Sequence, residues 1–135
     1  MTAFEKGDVI AQRSVHLTRD SLVKYAGASG DFNPIHYRDD IAAEVGLPGV
    51  LAHGMLTMGI AVNTVAEAIG DTGRITDYGV RFTRPVVVDA AEGAHLDIIA
   101  VVGAVLEGAV RIDLTVKHGE TTVLGKAQLT VRTDA

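Results

Sequence analysis

The run His53-Gly54-Met55-Leu56-Thr57-Met58-Gly59-Ile60-Ala61-Val62-Asn63-Thr64-Val65-Ala66-Glu67-Ala68-Ile69 carries one formal charge, Glu67, in seventeen residues. Met55, Met58, Val62, Val65 and Ile69 recur at spacings of three and four, and Leu56 and Ile60 widen the apolar surface, which marks a helix rather than a strand. Gly70 follows as a natural C-terminal stop. At 1.5 Å per residue this helix reaches about 25 Å, and a helix so apolar belongs in an interior. The sequence after it has another period. Tyr78–Phe82, Leu96–Val102, Ala109–Lys117 and Thr122–Val131 read as strands. In the third, Val110, Ile112, Leu114 and Val116 alternate with Ala109, Arg111, Asp113, Thr115 and Lys117, as in a sheet with one wet face. Lys117-His118-Gly119-Glu120 reads as the hairpin turn before the last strand. A long apolar helix followed by an antiparallel meander predicts an α+β domain with the sheet wrapped on the helix.

Ahead of the helix, Val9–Leu17 is a candidate strand. Thr18 can N-cap a helix whose Leu22, Val23, Tyr25 and Ala26 form one apolar side and which Gly27 and Gly30 end. A short helix from Asp39 to Val45 stops at Gly46 and Pro48. No linker-like composition divides the chain, so its 135 residues predict one domain, 1–135.

Composition narrows the function classes. Val and Ala number eighteen each against six aromatics, which suits a sheet packed closely on one helix. The net charge of −5, without a basic block, argues against nucleic acid as a partner. The absence of Cys excludes thiol catalysis and disulfides. Met1–Asp8 carries Glu5, Lys6 and Asp8 and does not read as a secretion signal. Val50–Val62, the longest apolar stretch, is thirteen residues long, short of the ~20 that span a bilayer. The expectation is a cytoplasmic protein with no membrane span.

Chemistry concentrates in Ser29-Gly30-Asp31-Phe32-Asn33-Pro34-Ile35-His36 and in Ala52-His53-Gly54-Met55 at the helix start. Asp31 and Asn33 are turn formers, and Pro34 pushes Asn33 out of the α region. A tight Asn-Pro turn can fold the His36 imidazole back toward the Asp31 carboxylate, giving a pair that holds and deprotonates a water. Gly54 offers a backbone N–H at the positive end of a helix, suited to a developing oxyanion. Together these describe an enolate-forming site.

Those two segments resemble the signature of the MaoC-like, (R)-specific enoyl-thioester hydratases and dehydratases. Within that family, Tyr25–Asp31 and Ala52–Gly59 look most like the B-type catalytic subunits of actinobacterial (3R)-hydroxyacyl-carrier-protein dehydratases. The resemblance implies a hot-dog fold, a curved antiparallel sheet around a long central helix, with two such domains paired. It implies reversible hydration that interconverts trans-2-enoyl and (R)-3-hydroxyacyl thioesters of coenzyme A or acyl carrier protein. Carried over by residue, it makes Asp31 and His36 the catalytic dyad, Asn33 the loop-orienting residue and Gly54 the oxyanion donor, with Ala52, His53 and Met55 beside the substrate. His36 would act as base toward the water and Asp31 would serve C2. His53 is also suited to bracing the helix start, and Met55 and Met58 to filling the core. Asp31, His36 and His53 are of metal-ligating types, but the resemblance calls for no metal and no other cofactor.

The chain departs from the family pattern in two places. Arg38 stands two after the histidine, where relatives often carry an acid, which touches helix start or substrate entry more than chemistry. A serine that some relatives place in the central helix has only Thr57, Asn63 and Thr64 as polar candidates here. Arg74, Arg81 and Arg84 are candidates for a phosphopantetheine arm or an acidic carrier protein, and Arg81 and Arg84 should face opposite sides of a regular strand. Two rival functions share the fold: an acyl-thioesterase, and a non-catalytic acyl-binding subunit of a heterodimeric dehydratase. The intact dyad favours catalysis over the second. The mate in the expected dimer is either a second copy or another hot-dog subunit.

Overall fold

The computed structural model describes residues 3–134; Met1 and Thr2 of the N-terminal stretch and Ala135 of the expected 1–135 domain lie outside the described residues. In chain order the elements are β1 (Val9–Leu17), α1 (Arg19–Ser29), a 3-10 turn (Pro34–His36), α2 (Asp39–Glu44) and α3 (Gly54–Ile69), followed by a 3-10 turn (Thr72–Arg74). Then come β2 (Ile75–Phe82), β3 (Ala94–Leu106), β4 (Ala109–His118), β5 (Thr121–Thr122) and β6 (Leu124–Arg132). The sheet runs β1-β3-β4-β6-β2, every pairing antiparallel, and β5 adds to β4.

Alternation builds the core. Leu96, Ile98, Ala100 and Val102 of β3 lie beside Val110, Ile112, Leu114 and Val116 of β4, all inward and at most 5% exposed. The curved sheet holds α3 chiefly against β1 and β3. The helix presents to it a narrow strip of small side chains, with Thr57, Ala61, Thr64 and Val65 buried. Of the five residues expected to face inward, only Val65 is on that strip. Met58, Val62 and Ile69 are partly exposed and Met55 is 59% exposed. The spacing was that of a helix, but with apolar residues on both sides it did not select the buried one. Small residues occupy the strip where helix and sheet backbones approach, Leu56, Ile60, Val62 and Ile69 pack half-buried at its margins, and Met55 is left outward.

α1 begins as expected on Thr18, whose hydroxyl accepts from Ser21 N–H in a capping box. It runs through Gly27 and ends at Gly30, where φ is +78°. Leu22 and Ala26 are buried, whereas Val23 is 61% exposed, so the expected apolar side is narrower. α2 ends at Glu44, with Val45 as its cap. The hairpin turn tightens to Gly119 and Glu120, since His118 pairs with Thr121. The expected strand over Thr122–Val131 is interrupted at Val123, whose N–H turns to the Val116 carbonyl at 3.0 Å. Within β6 the inward alternation slips at Lys126, which has φ +42°, opposite a register shift between Gly79 and Arg81 of β2. That is a bulge.

A further segment positions the functional region. Val86 and Val88 are buried, and Ala52 N–H donates to the Val86 carbonyl while Val88 N–H donates to the Val50 carbonyl, both at 2.9 Å. This ladder fixes the approach to α3. Arg19 links the segment to α1 and α2, donating to the Val88 carbonyl at 2.6 Å and pairing with Asp39 at 2.9 Å. Among the described residues, no helix is long and apolar enough to cross a membrane.

Candidate active site

The Ser29–His36 loop is a chain of short side-chain-to-backbone hydrogen bonds. Ser29 Oγ accepts from Asp31 N–H at 3.1 Å, Asp31 Oδ1 from Asn33 N–H at 3.2 Å, and Asn33 Oδ1 from Ile35 N–H at 3.2 Å. These are the bonds Asp and Asn make when the following backbone turns. Asn33 thus caps the 3-10 turn that carries His36. The loop is then clamped to the approach to α3: Leu51 N–H donates to the Ile35 carbonyl at 3.1 Å, and His36 Nδ1 lies 2.7 Å from the Leu51 carbonyl.

That last contact fixes a tautomer. A carbonyl only accepts, so in the neutral ring His36 Nδ1 carries the proton and Nε2 the lone pair. Nε2 lies 4.0 Å from Asp31 Oδ2, too far for a direct hydrogen bond. A water about 2.8 Å from each atom would span that gap. His36 is buried, while the Asp31 side chain is 51% exposed.

Beside this pair is a cavity of about 390 Å³ lined by His36, Ala52, Gly54, Thr57, Phe82 and Arg84, among others. Leu56 and Thr57 N–H groups both turn to the His53 carbonyl. Those of Gly54 and Met55 precede the helical ladder and have no partner within the helix. A side chain at Gly54 would require the Phe82 ring to move, since an added Cβ would lie 2.9 Å from it.

His53 and Met55, expected beside the substrate, do not line this cavity. His53 is 2% exposed and does not line the cavity; its ring stacks on His36 with centroids 3.7 Å apart and planes 19° apart. Burial pushes its pKa below the ordinary histidine value, and the neighbouring His36 adds to that. Met55 points to another groove, with Tyr25, Leu56, Gly59 and Ile60. Asp31, His36 and His53 each bring one potential ligand atom within 4.8 Å of the others. One nitrogen of each ring is already committed to a backbone carbonyl, Leu51 for His36 and Asp31 for His53.

A profile of the family described as MaoC like domain matches residues 3–124. The chain belongs to this family. This MaoC-like chain is 32% identical over 111 residues to the fatty acid synthase beta subunit TOXC of Cochliobolus carbonum, covering 78% of the chain and 5% of that protein. It is 34% identical over 82 residues to 3-hydroxyacyl-thioester dehydratase X of Mycobacterium tuberculosis, covering 61% of the chain and 28% of that protein. A solved MaoC-like dehydratase superposes with a TM-score of 0.93 at 37% identity, over 96% of the chain and 41% of that structure. The MaoC-like chain therefore spans a minor part of each of these relatives. Its fold is the hot-dog fold of the family.

Several cavity residues of this MaoC-like chain were not singled out from sequence as lining residues. Of the three polar candidates on α3, Thr57 alone lines the cavity; Asn63 bonds Glu67, and Thr64 bonds the Ile60 carbonyl. Phe82 and Val86 carried no polar signal, although Val86-Val87-Val88 is a strand-forming run. Arg38 pairs with Asp40 at 2.6 Å on the surface. Of the three arginines, Arg84 lines the cavity, Arg81 lies in a separate groove beside Lys126, and Arg74 donates to the Arg132 carbonyl.

Proposed function

We propose that this chain is a hydro-lyase that reversibly hydrates trans-2-enoyl thioesters to (R)-3-hydroxyacyl thioesters of coenzyme A or acyl carrier protein in fatty-acid metabolism. The observation that carries the reading is the His36 Nε2 lone pair 4.0 Å from the Asp31 carboxylate, beside a cavity whose wall includes Gly54 at the start of α3. In the hydration direction a water sits between the two side chains. His36 Nε2 takes one of its protons as the oxygen bonds to C3, and the C2=C3 electron pair moves into the thioester to give an enolate. The Gly54 N–H receives the developing charge on the thioester oxygen, where an oriented donor is most effective. Asp31 serves C2: the proton held on His36 passes through the Asp31 carboxylate to C2 as the enolate collapses. One water adds across one double bond and both side chains regain their starting charge. Dehydration is the reverse.

Asn33 supports this chemistry by holding the turn that carries His36. Ala52 and Thr57 line the cavity, and Arg84 is a cation there to meet the anionic phosphopantetheine arm or an acidic carrier. Neither a metal nor another cofactor is required. The single domain, 1–135, works as half of a dimer with a second copy or another hot-dog subunit. That is supported by the outward apolar face of α3 and by the exposed edges of β1 and β2. A cytoplasmic location fits the Cys-free composition.

The test is a pair of assays on the purified chain with crotonyl-CoA and longer enoyl thioesters. Loss of the conjugated enoyl absorbance with formation of the (R)-3-hydroxy product is expected. Release of free thiol without hydration would make the chain a thioesterase. No turnover by the single chain, with turnover only after a second subunit is added, would make it an acyl-binding partner.

A further inference from the structure

His53 occupies a place that the reaction above does not use. Every hydrogen bond to Asp31 from within its own loop is local, from Asp31 N–H to Ser29 and from Asn33 N–H to the carboxylate. Among the described residues, one bond reaches Asp31 from a separate element: His53 Nε2, 3.2 Å from the Asp31 backbone carbonyl. The same ring is stacked on His36 at 3.7 Å and receives the edge of Tyr25 at 4.8 Å and 66°. His53 is thus tied to one member of the Asp31–His36 pair by a hydrogen bond and to the other by a ring face.

We infer that His53 is a positioning residue of the dyad: a neutral Nε2–H imidazole at the mouth of α3 that holds the Asp31 loop at its working distance from His36. This rests on the hydration reading above and extends it to a residue that touches neither the cavity nor the reacting atoms.

The carbonyl of Asp31 only accepts, so the proton sits on His53 Nε2 and leaves Nδ1 with a lone pair. Nδ1 is buried with no hydrogen-bond partner among the described residues. A second proton there would create a buried cation without an acceptor, against the positive end of α3 and stacked on His36. The titratable groups facing the ring are His36, Asp31 and Tyr25. Of these only the Asp31 carboxylate favours a charge, and that side chain is half exposed to water. The stacked neighbour of His36 therefore stays neutral while His36 gains and loses its proton. Removing the tie frees a solvent-facing carboxylate loop, and a displacement of about 1 Å in a catalytic group costs on the order of a hundredfold in rate.

Two readouts test this. Nitrogen NMR of histidine-labelled wild type, between about pH 5.5 and 8, should show His53 in the neutral Nε2–H form throughout. A protonated His53, or one with its proton on Nδ1, overturns the inference. The second readout compares His53→Phe, which keeps a stacking ring without a donor, with His53→Gln, which keeps a donor without a ring. His53→Phe should speed amide hydrogen exchange across residues 29–36 and lower kcat about a hundredfold with KM moved less than about threefold. His53→Gln should recover roughly tenfold of that loss. Unchanged exchange and kcat in a folded His53→Phe overturns the inference. If neither variant folds, the labelled wild type decides. Wild type without hydration activity would strike the proposed function and leave exchange and tautomer as the test of His53.

Discussion

Replacing Gly54 by alanine puts one methyl where the structure has least room for it. The added Cβ would lie 2.9 Å from Phe82 Cε1, 3.0 Å from Cδ1 and 3.3 Å from Cζ. Carbon atoms settle at about 3.5–4.0 Å, so the ring must recede by about 0.5–1 Å. Phe82 is 56% exposed and can swing outward at small cost. Gly54 is not among the glycines with positive φ, and alanine is preferred over glycine in a helix by up to about 1 kcal/mol. The two effects oppose, and the melting temperature should stay within a few degrees of wild type. Activity should not survive as well. The methyl and the displaced ring occupy the surface by which a thioester oxygen approaches the Gly54 N–H. Losing such a donor costs about 10²–10³ in rate, or about 2.7–4 kcal/mol at 1.36 kcal/mol per decade. Steady-state kcat/KM on crotonyl-CoA, read beside a thermal melt, measures both. Phe82→Ala, which leaves the donor open, should lose less than about tenfold. A folded Gly54→Ala enzyme within threefold of wild-type kcat/KM would show that substrate does not use this surface.

Other perturbations have equally definite outcomes. Leu129 is 1% exposed in the core, so Leu129→Ala should cost about 2–5 kcal/mol in chemical denaturation without altering the pH profile of catalysis. Tyr78 donates to the Met58 carbonyl at 2.7 Å, and burial pushes its phenol up to about 12. Tyr78→Phe should therefore lose about 1–3 kcal/mol, and ultraviolet titration of wild type should find a tyrosine that ionises only near 12. Because that phenol is raised from 10.0, its contribution to stability is complete below pH 10 and fades as pH rises toward 12. His53 works in the opposite direction, since its folded pKa lies below the ordinary 6.5. Below that pH the unfolded chain binds the extra proton, so stability falls as pH drops, and His53→Phe should flatten that part of a denaturation-versus-pH curve.

What was legible in the sequence was what local chemistry determines alone. Thr18, Gly30 and Gly70 set helix ends through caps, and β4 was readable by alternation because one face is wet. The Ser29–His36 turn was readable because Asp31, Asn33 and Pro34 each constrain the backbone beside them. Other features depend on partners distant in the chain. The buried side of α3 is chosen by how closely the sheet backbone approaches, which favours Thr57, Ala61 and Thr64 over Met55 and Met58. Lys126 gives no local sign that it must adopt a positive φ, because the bulge arises from pairing β6 with both β4 and β2. The ladder of Val86 and Val88 with Val50 and Ala52 is a contact between two short segments, each too brief to read as a strand by period. His53 was visible as a residue of the right type beside Gly54. Its orientation, beneath His36 rather than into the cavity, follows from the loop folding over it.

The proposed chemistry rests on one carboxylate and one imidazole, and a single substitution separates them without changing volume. Asp31→Asn keeps an acceptor for the Asn33 N–H and removes the proton-carrying group. The decisive measurement is kcat for crotonyl-CoA hydration by this variant beside wild type, with equal folding and assembly shown by circular dichroism and gel filtration. Loss of about 10²–10⁴ in kcat is expected when a general acid–base group is removed, with wild type giving the (R)-3-hydroxy product. A folded Asp31→Asn protein that hydrates at the wild-type rate would contradict the assignment of the dyad.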